Sequence, residues 1–222
     1  MKKILIFDTE TNGKPKHYSK AEDDLNNYPH VLQLAGKIIE IDETVNDFNP
    51  KVIHTFNHLI LPIRENKELK QDKEAFKVHN ISFDKAFEEG KNIIDVAFMF
   101  QGYTNSVDFI IAHNIQFDRN VMASELLRLG ITPLAKKNCR AFCTMKYNTN
   151  IVKLPNPSYP GTYKFPKLEA LYEYYFKTKL SDKYNAHDAM QDVEATTDVV
   201  LIMLLTDVKF QSWIKGEIQD IY

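Results

Sequence analysis

Ile4-Leu5-Ile6-Phe7-Asp8-Thr9-Glu10-Thr11-Asn12-Gly13 is the stretch on which the reading of this chain turns. Residues 3–7 read as a fully buried strand, and two carboxylates stand where that strand ends. Side chains on a strand alternate with period two, so Asp8 and Glu10 point to the same side. Like charges side by side repel, and a divalent cation is the usual remedy, since oxygen ligands suit Mg2+ and Mn2+. Taken alone, Asp8-Thr9-Glu10 also reads as a polar strand end entering a turn at Asn12-Gly13. The rest of the chain decides between the two.

Outward from this stretch, residues 31–41 and 52–61 read as two more strands, with a polar, turn-like link at 42–50. The chain therefore opens with a β-meander. From Lys67 the pattern turns helical, with short helices expected at 73–79, 83–89 (ending at Gly90) and 92–100. A buried strand follows at 109–112. An amphipathic helix is expected at 118–129, stopped by Gly130, then a short strand at 142–144. Residues 148–166 read as a loop with four prolines, running over the surface. Helices are expected at 168–176 and 186–205, and a short one at about 210–221. Strands first, then helices alternating with short strands, predict an α/β fold: a mixed sheet with helices on both faces. No repeat or linker interrupts residues 1–222, which read as a single domain.

Two further segments carry chemistry. Ile110-Ile111-Ala112-His113-Asn114-Ile115-Gln116-Phe117-Asp118 lies mid-chain, and His187-Asp188-Ala189-Met190-Gln191-Asp192-Val193-Glu194-Ala195-Thr196 lies near the C-terminus. With the opening stretch, they resemble, in order and spacing, the three motifs of the DnaQ-like 3'-5' exonucleases of DEDDh type. Val78-His79-Asn80-Ile81, Cys143-Thr144-Met145 and Lys167-Leu168-Glu169-Ala170-Leu171 resemble connecting segments of the same family. The resemblance covers roughly residues 3 to 205 and implies a ribonuclease H-like fold.

It also implies roles. Asp8, Glu10, Asp118 and Asp192 would hold two divalent ions, Mg2+ or Mn2+, and His187 would be the general base. A pair of ions can clamp the attacking and leaving oxygens of an in-line phosphoryl displacement, which accounts for the number of acids. Imidazole titrates near working pH, as a base must. His187 and Asp192 would be about 140° apart on an ideal helix, so His187 is expected at or before the helix start, with Asn185 a plausible cap. Thr9, Thr11 and Asn114 would lie near the terminal nucleotide, Asn114 by organising the turn before Asp118. Phe117 reads as core, and the stripe Val193, Thr196, Thr197, Val200, Leu201, Leu204 as buried against the sheet. Tyr184 and Asp188 have the spacing of a sister subtype that uses tyrosine; the context of Ala189, Asp192 and Thr196 favours histidine.

The substrate implied is the 3' end of nucleic acid, DNA in preference to RNA. A DNA polymerase, as in the proofreading subunits this family includes, would be met in trans. A non-catalytic nucleic-acid or polymerase-binding module on the same fold is the reading from another class. Composition adds little: the net charge of -2 does not announce a nucleic-acid binder, and the two cysteines make no disulfide framework. No apolar run approaches the ~20 residues of a membrane helix. No secretory signal is expected, and a reducing, cytoplasmic setting is. Loop residues Tyr18, Tyr28 and Tyr163 could stack on bases, and the clusters Lys67 to Lys73 and Lys136, Lys137, Arg140 could meet phosphate. The long polar stretch from Thr11 to His30 is expected to fold over the 3' end.

Overall fold

The computed structural model describes residues 1–17, 19–61, 72–133 and 139–222. Its strands are β1 (Lys2–Thr11), β2 (Val31–Ile41), β3 (Lys51–Leu61), β4 (Lys91–Asn92), β5 (Phe109–Ala112) and β6 (Arg140–Cys143). They form one mixed sheet in the order β4-β3-β2-β1-β5-β6. The meander β1–β2–β3 is antiparallel, whereas β5 joins β1, β6 joins β5 and β4 joins β3 in parallel. Helices are α1 (Lys73–His79), α2 (Phe83–Glu89), α3 (Ile93–Ser106), α4 (Ile115–Arg128), α5 (Thr144–Val152), α6 (Leu168–Phe176), α7 (Ala189–Thr206) and α8 (Val208–Lys215).

Alternation along β1 divides the core in two. Ile4 and Ile6 face a cluster built with Val193, Val200 and Leu204 of α7. Leu5 and Phe7 face the other, with Val96 and Phe100 of α3 and Val121 and Met122 of α4. Helices thus cover both faces, as expected; of the expected stripe Val193, Thr196, Thr197, Val200 and Leu204 are buried, and Leu201 is partly buried against the same cluster. Burial of side chains this size is worth about 1.5–3 kcal/mol each. The same alternation continues past Phe7, so Asp8 and Glu10 emerge on the α7 side while Thr9 and Thr11 turn to the α4 side.

The strand pairings create the opening. β1 pairs with β5 only as far as Ile6 with Ile111, but with β2 as far as Thr11 with Val31. Among the described residues, its last residues therefore have no strand paired on that side. Open α/β sheets place ligands in such a crevice, beyond the carboxyl ends of parallel strands. Gly36 lets the sheet close nearby, because a β-carbon there would fall on the Phe56 ring.

Several boundaries differ from the sequence expectation. β1 runs on through the acids because β2 pairs with it throughout. Helix α4 begins at Ile115, three residues early, because Asn114 makes the turn with a left-handed backbone of φ 72°. Helix α5 occupies the first part of the expected 148–166 loop, capped by the Cys143 sulfur. Helix α3 runs to Ser106, through Gly102, and α8 ends at Gly216 in a left-handed cap. The two-residue strand β4 has too little pattern to be read from sequence. Tyr18, residues 67–71, Lys136 and Lys137 lie outside the described residues.

Candidate active site

Asp8 and Glu10 sit at the edge of the crevice, paired across the ladder with Ala35 and Gln33. Asp118 enters from the first turn of α4, where the helix dipole favours an acid. It is buried, and its Oδ1 accepts both the Thr9 backbone N–H at 3.0 Å and the Thr9 hydroxyl at 2.7 Å. Asp192 comes from the first turn of α7, and its Oδ2 accepts the His187 N–H at 3.3 Å. These acids line one cleft of about 370 Å³, together with His187 and Glu169.

His187 precedes α7, on a turn with φ 67°. Its ring is half exposed, with Nε2 3.9 Å from Glu169 Oε1. Side-chain ligand atoms of Glu10, His187 and Asp192 all lie within 4.8 Å of one another. Asp188, not Asn185, caps α7: its Oδ1 accepts the Met190 and Gln191 N–H groups. Asp188 fits the cap better because it directly precedes the first helical residue. Glu194, further along α7, ion-pairs with Lys37. The Tyr184 hydroxyl donates to Asp198 at 2.8 Å, away from the cleft. The tyrosine alternative therefore has no geometry behind it.

The cluster is electrostatically costly. Burial, then the charges of Asp118, Asp192, Glu10 and Asp188, holds the Asp8 carboxyl well above its ordinary range. Burial and the charges of Asp192, Asp118 and Asp188 push Glu10 up to about 9. Burial raises Asp118 to about 7 against the pull of the two Thr9 bonds. Burial, with the charges of Glu169 and Asp188, raises Asp192 to about 7 against the His187 N–H. Hard oxygen donors gathered at this cost fit a site for Mg2+ or Mn2+, whose charge inverts the local repulsion.

Surrounding residues fix the frame. His79 takes the Ile81 N–H on Nδ1, so its Nε2–H donates to the Thr11 carbonyl at 3.0 Å. Thr11 spends its hydroxyl on the Gly13 carbonyl. His113 donates from Nε2 to the Pro166 carbonyl and accepts from Thr144 on Nδ1; burial pulls it down to about 4, so it is neutral. Asn114 makes no side-chain capping bond, and it shapes the turn through its backbone alone. Phe117 is half-buried: it packs on the core and also lines the cleft.

Sequence reasoning missed Gln33, Glu169 and Phe165. Gln33 accepts the Ala189 N–H on Oε1 at 3.2 Å, and its Nε2 reaches Asn57 at 3.0 Å and Asp188 at 3.5 Å. The signal was available: a polar residue at an inward position of a buried strand. Glu169 stood in a quoted motif with no role attached. Of the Thr11 to His30 stretch, no described residue, the expected site residue Thr11 included, lies among those lining the cleft. The stretch packs along α4 instead. Asn120 holds Ser19 and Tyr28; Arg128 holds the Leu25 and Tyr28 carbonyls. Arg140 also turns inward: it lies over the Trp213 ring and donates to three C-terminal carbonyls, so it is no phosphate contact.

A mixed sheet in this order, with acids gathered where β1 outruns β5, is a ribonuclease H-like α/β fold carrying a carboxylate centre. The exonuclease family model, of RNase T type, matches residues 5–200, and the chain belongs to that family, the DnaQ-like exonucleases. No curated protein matches it in sequence. Among solved structures it is similar to Escherichia coli exonuclease I in complex with a dA16 oligonucleotide (TM-score 0.70, 18% identity, 96% of this chain and 43% of that one). Exonuclease I from Methylocaldum szegediense is similar too (0.69, 20%, 97% and 43%). So is exonuclease X in complex with 5' overhanging duplex DNA (0.52, 20%, 92% of each). The chain thus spans less than half the length of the exonuclease I chains, and at these identities the likeness is one of fold. No helix among the described residues is long and apolar enough to cross a membrane.

Proposed function

We propose that residues 1–222 act as a single 3'-5' exonuclease domain. It removes nucleoside 5'-monophosphates from the 3' end of single-stranded or frayed DNA. The observation that carries this reading is the meeting of Asp8, Glu10, Asp118, Asp192 and His187 in one cleft. Two divalent ions, Mg2+ or Mn2+, held by the four acids, would neutralise phosphodiester charge and lower the pKa of the attacking water. His187 accepts a proton from that water as its oxygen bonds to phosphorus and the bond to the 3'-oxygen breaks. Glu169 faces the imidazolium so formed. Thr9 orients Asp118, and the His187 N–H orients Asp192. Thr11 and Asn114 shape the backbone that meets the terminal nucleotide.

DNA is preferred because the similar exonuclease I and exonuclease X structures are complexes with DNA. The setting we assign is cytoplasmic, with any polymerase engaged in trans. The test compares matched 5'-labelled single-stranded DNA and RNA in Mg2+ or Mn2+, with EDTA and Asp8→Ala as controls. A metal-dependent ladder that shortens from the 3' end, and is absent in the variant, is expected on DNA. Faster loss of RNA would make the enzyme an exoribonuclease. Binding without cleavage of either polymer would make it a non-catalytic module.

A further inference from the structure

The 154–165 segment is a short hairpin beside the cleft. Pro155 bridges to Tyr163 in antiparallel register. The Lys164 N–H donates to the Leu154 carbonyl at 2.9 Å and the Asn156 N–H to the Thr162 carbonyl at 3.1 Å. At its tip the Thr162 hydroxyl donates to the Tyr159 carbonyl at 2.7 Å and Asn156 Oδ1 accepts the Ser158 N–H at 3.1 Å. Its far end is tied to the site, because His113 Nε2 donates to the Pro166 carbonyl at 3.1 Å. Backbone bonds and three prolines within the hairpin hold its shape.

This rigid element carries three aromatic rings into solvent: Tyr159 is 68% exposed, Tyr163 41% and Phe165 57%. An apolar ring that a fold leaves in water gains nothing for stability. Tyr163 and Phe165 are two apart on extended chain, and proline at 166 favours an extended Phe165, so the two rings share a side. Phe165 lines the cleft with the acids. The aromatic surface is therefore continuous with the site.

Charge points the same way. Between Glu125 and Glu169 the chain has no acidic residue and eight of its 28 lysines and arginines; Arg128 and Arg140 are turned inward, and Lys146, Lys153, Lys164 and Lys167 are exposed. Lys153, Lys164 and Lys167 flank the rings. The net charge of the whole chain is -2, so this run stands against an acidic remainder. Exposed rings on an acid-free run that carries lysines, leading into a cleft of acids that a metal would neutralise, fit single-stranded polynucleotide: bases stack on rings and phosphates meet lysine.

We propose that the 154–165 hairpin is a stacking platform for the single-stranded nucleotides that lead into the cleft. Phe165 takes a base near the 3' terminus and Tyr163 one further from it. The inference rests on the exonuclease reading for its substrate, and its test does not need turnover. Binding of 5'-fluorescein oligo(dT) is followed by anisotropy in Ca2+, with intact strands and strands carrying one abasic position, scanned from the 3' end. Wild-type protein should bind about tenfold more weakly when the abasic position meets Tyr163, as loss of one stack implies. Tyr163→Ala should bind the intact strand about tenfold more weakly and be indifferent to that abasic position. Tyr163→Phe should restore both behaviours, since the ring and not the hydroxyl stacks. Unchanged melting temperatures establish that the variants fold. Wild-type affinity in Tyr163→Ala and Phe165→Ala, or an abasic profile identical across variants, overturns the platform. Absence of turnover in Mg2+ and Mn2+ by the wild type would instead strike the exonuclease reading and leave the binding result standing.

Discussion

Thr9 and Asp118 lie 109 positions apart in sequence, yet one carboxylate oxygen of Asp118 receives both the hydroxyl and the backbone N–H of Thr9. Strand alternation makes this possible. Asp8 and Glu10 point toward α7, so the residue between them points toward α4, where Asp118 waits. One tripeptide thereby supplies two acids and the clasp for a third.

That clasp predicts a phenotype. Thr9→Val keeps the shape and removes the hydroxyl bond to a buried acid, which should cost about 1–2 kcal/mol of stability. Metal affinity or turnover should fall roughly 10–100-fold, as for other partners that orient a ligand. Thr9→Ser should retain both. Mg2+ titration of turnover checks this, and an unchanged midpoint and rate in Thr9→Val would show that Asp118 needs no clasp.

The raised carboxyl groups set a pH dependence for the metal-free protein. Folded Glu10 titrates near about 9 and Asp118 and Asp192 near about 7, against about 4 in an unfolded chain. The folded state thus binds more protons between these values, and stability falls as pH rises through them. In EDTA, the melting temperature should drop from pH 5 to pH 9. Added Mg2+ should stabilise more at pH 8.5 than at pH 5.5, where protons already occupy the acids. A metal-induced shift independent of pH would contradict the cluster.

His187 and its neighbours separate roles by substitution. Asp192→Asn should abolish hydrolysis, because it removes a charged ligand. His187→Ala should lower kcat by roughly 10²–10⁴-fold, the range for a general base. Asp188→Asn should be mild, because asparagine caps helices about as well as aspartate. Rates on a labelled oligonucleotide at saturating metal rank the three; a severe Asp188→Asn would reverse the assignment.

Glu125 predicts a structural weak point. Its Oε1 accepts the Val31 N–H and faces His30 and Arg128, while its Oε2 is buried with no hydrogen-bond partner among the described residues. Arg128→Met would strand that buried carboxylate, at a cost of about 3–5 kcal/mol. It would also free the Leu25 and Tyr28 carbonyls that the guanidinium holds. Denaturant unfolding should show the loss, and limited proteolysis should find new cleavage between Lys14 and His30. Resistance equal to wild type would mean the stretch is held by other bonds.

What could be read from sequence was what chemistry constrains by position. β2, α1, α2, β5 and α6 fall where period and turn residues put them. The four acids and His187 announce themselves by type and order. Harder to read were features set by contacts distant in sequence. Helix α5 starts on a cysteine cap, which carries no usual cap signal. The cap role of Asp188 depends on where α7 begins, and a start expected at 186 puts Asp188 inside the helix. Gln33 looked like any strand residue because its partners lie on β3 and α7. The Thr11 to His30 stretch gave no hint of α4, since Asn120 and Arg128 reach it from a hundred residues away.

His187 occupies a left-handed backbone, φ 67°, immediately before the Asp188 cap. A side chain with a β-carbon pays roughly 1–2 kcal/mol there, and glycine pays almost nothing. The fold alone would thus be better served by glycine, while the proposed proton transfer needs a side chain that can take a proton, which glycine lacks. A campaign that ranked variants of this chain by heat resistance alone would promote His187→Gly and discard the enzyme in doing so. Conformational ease and catalytic competence pull in opposite directions at this one residue.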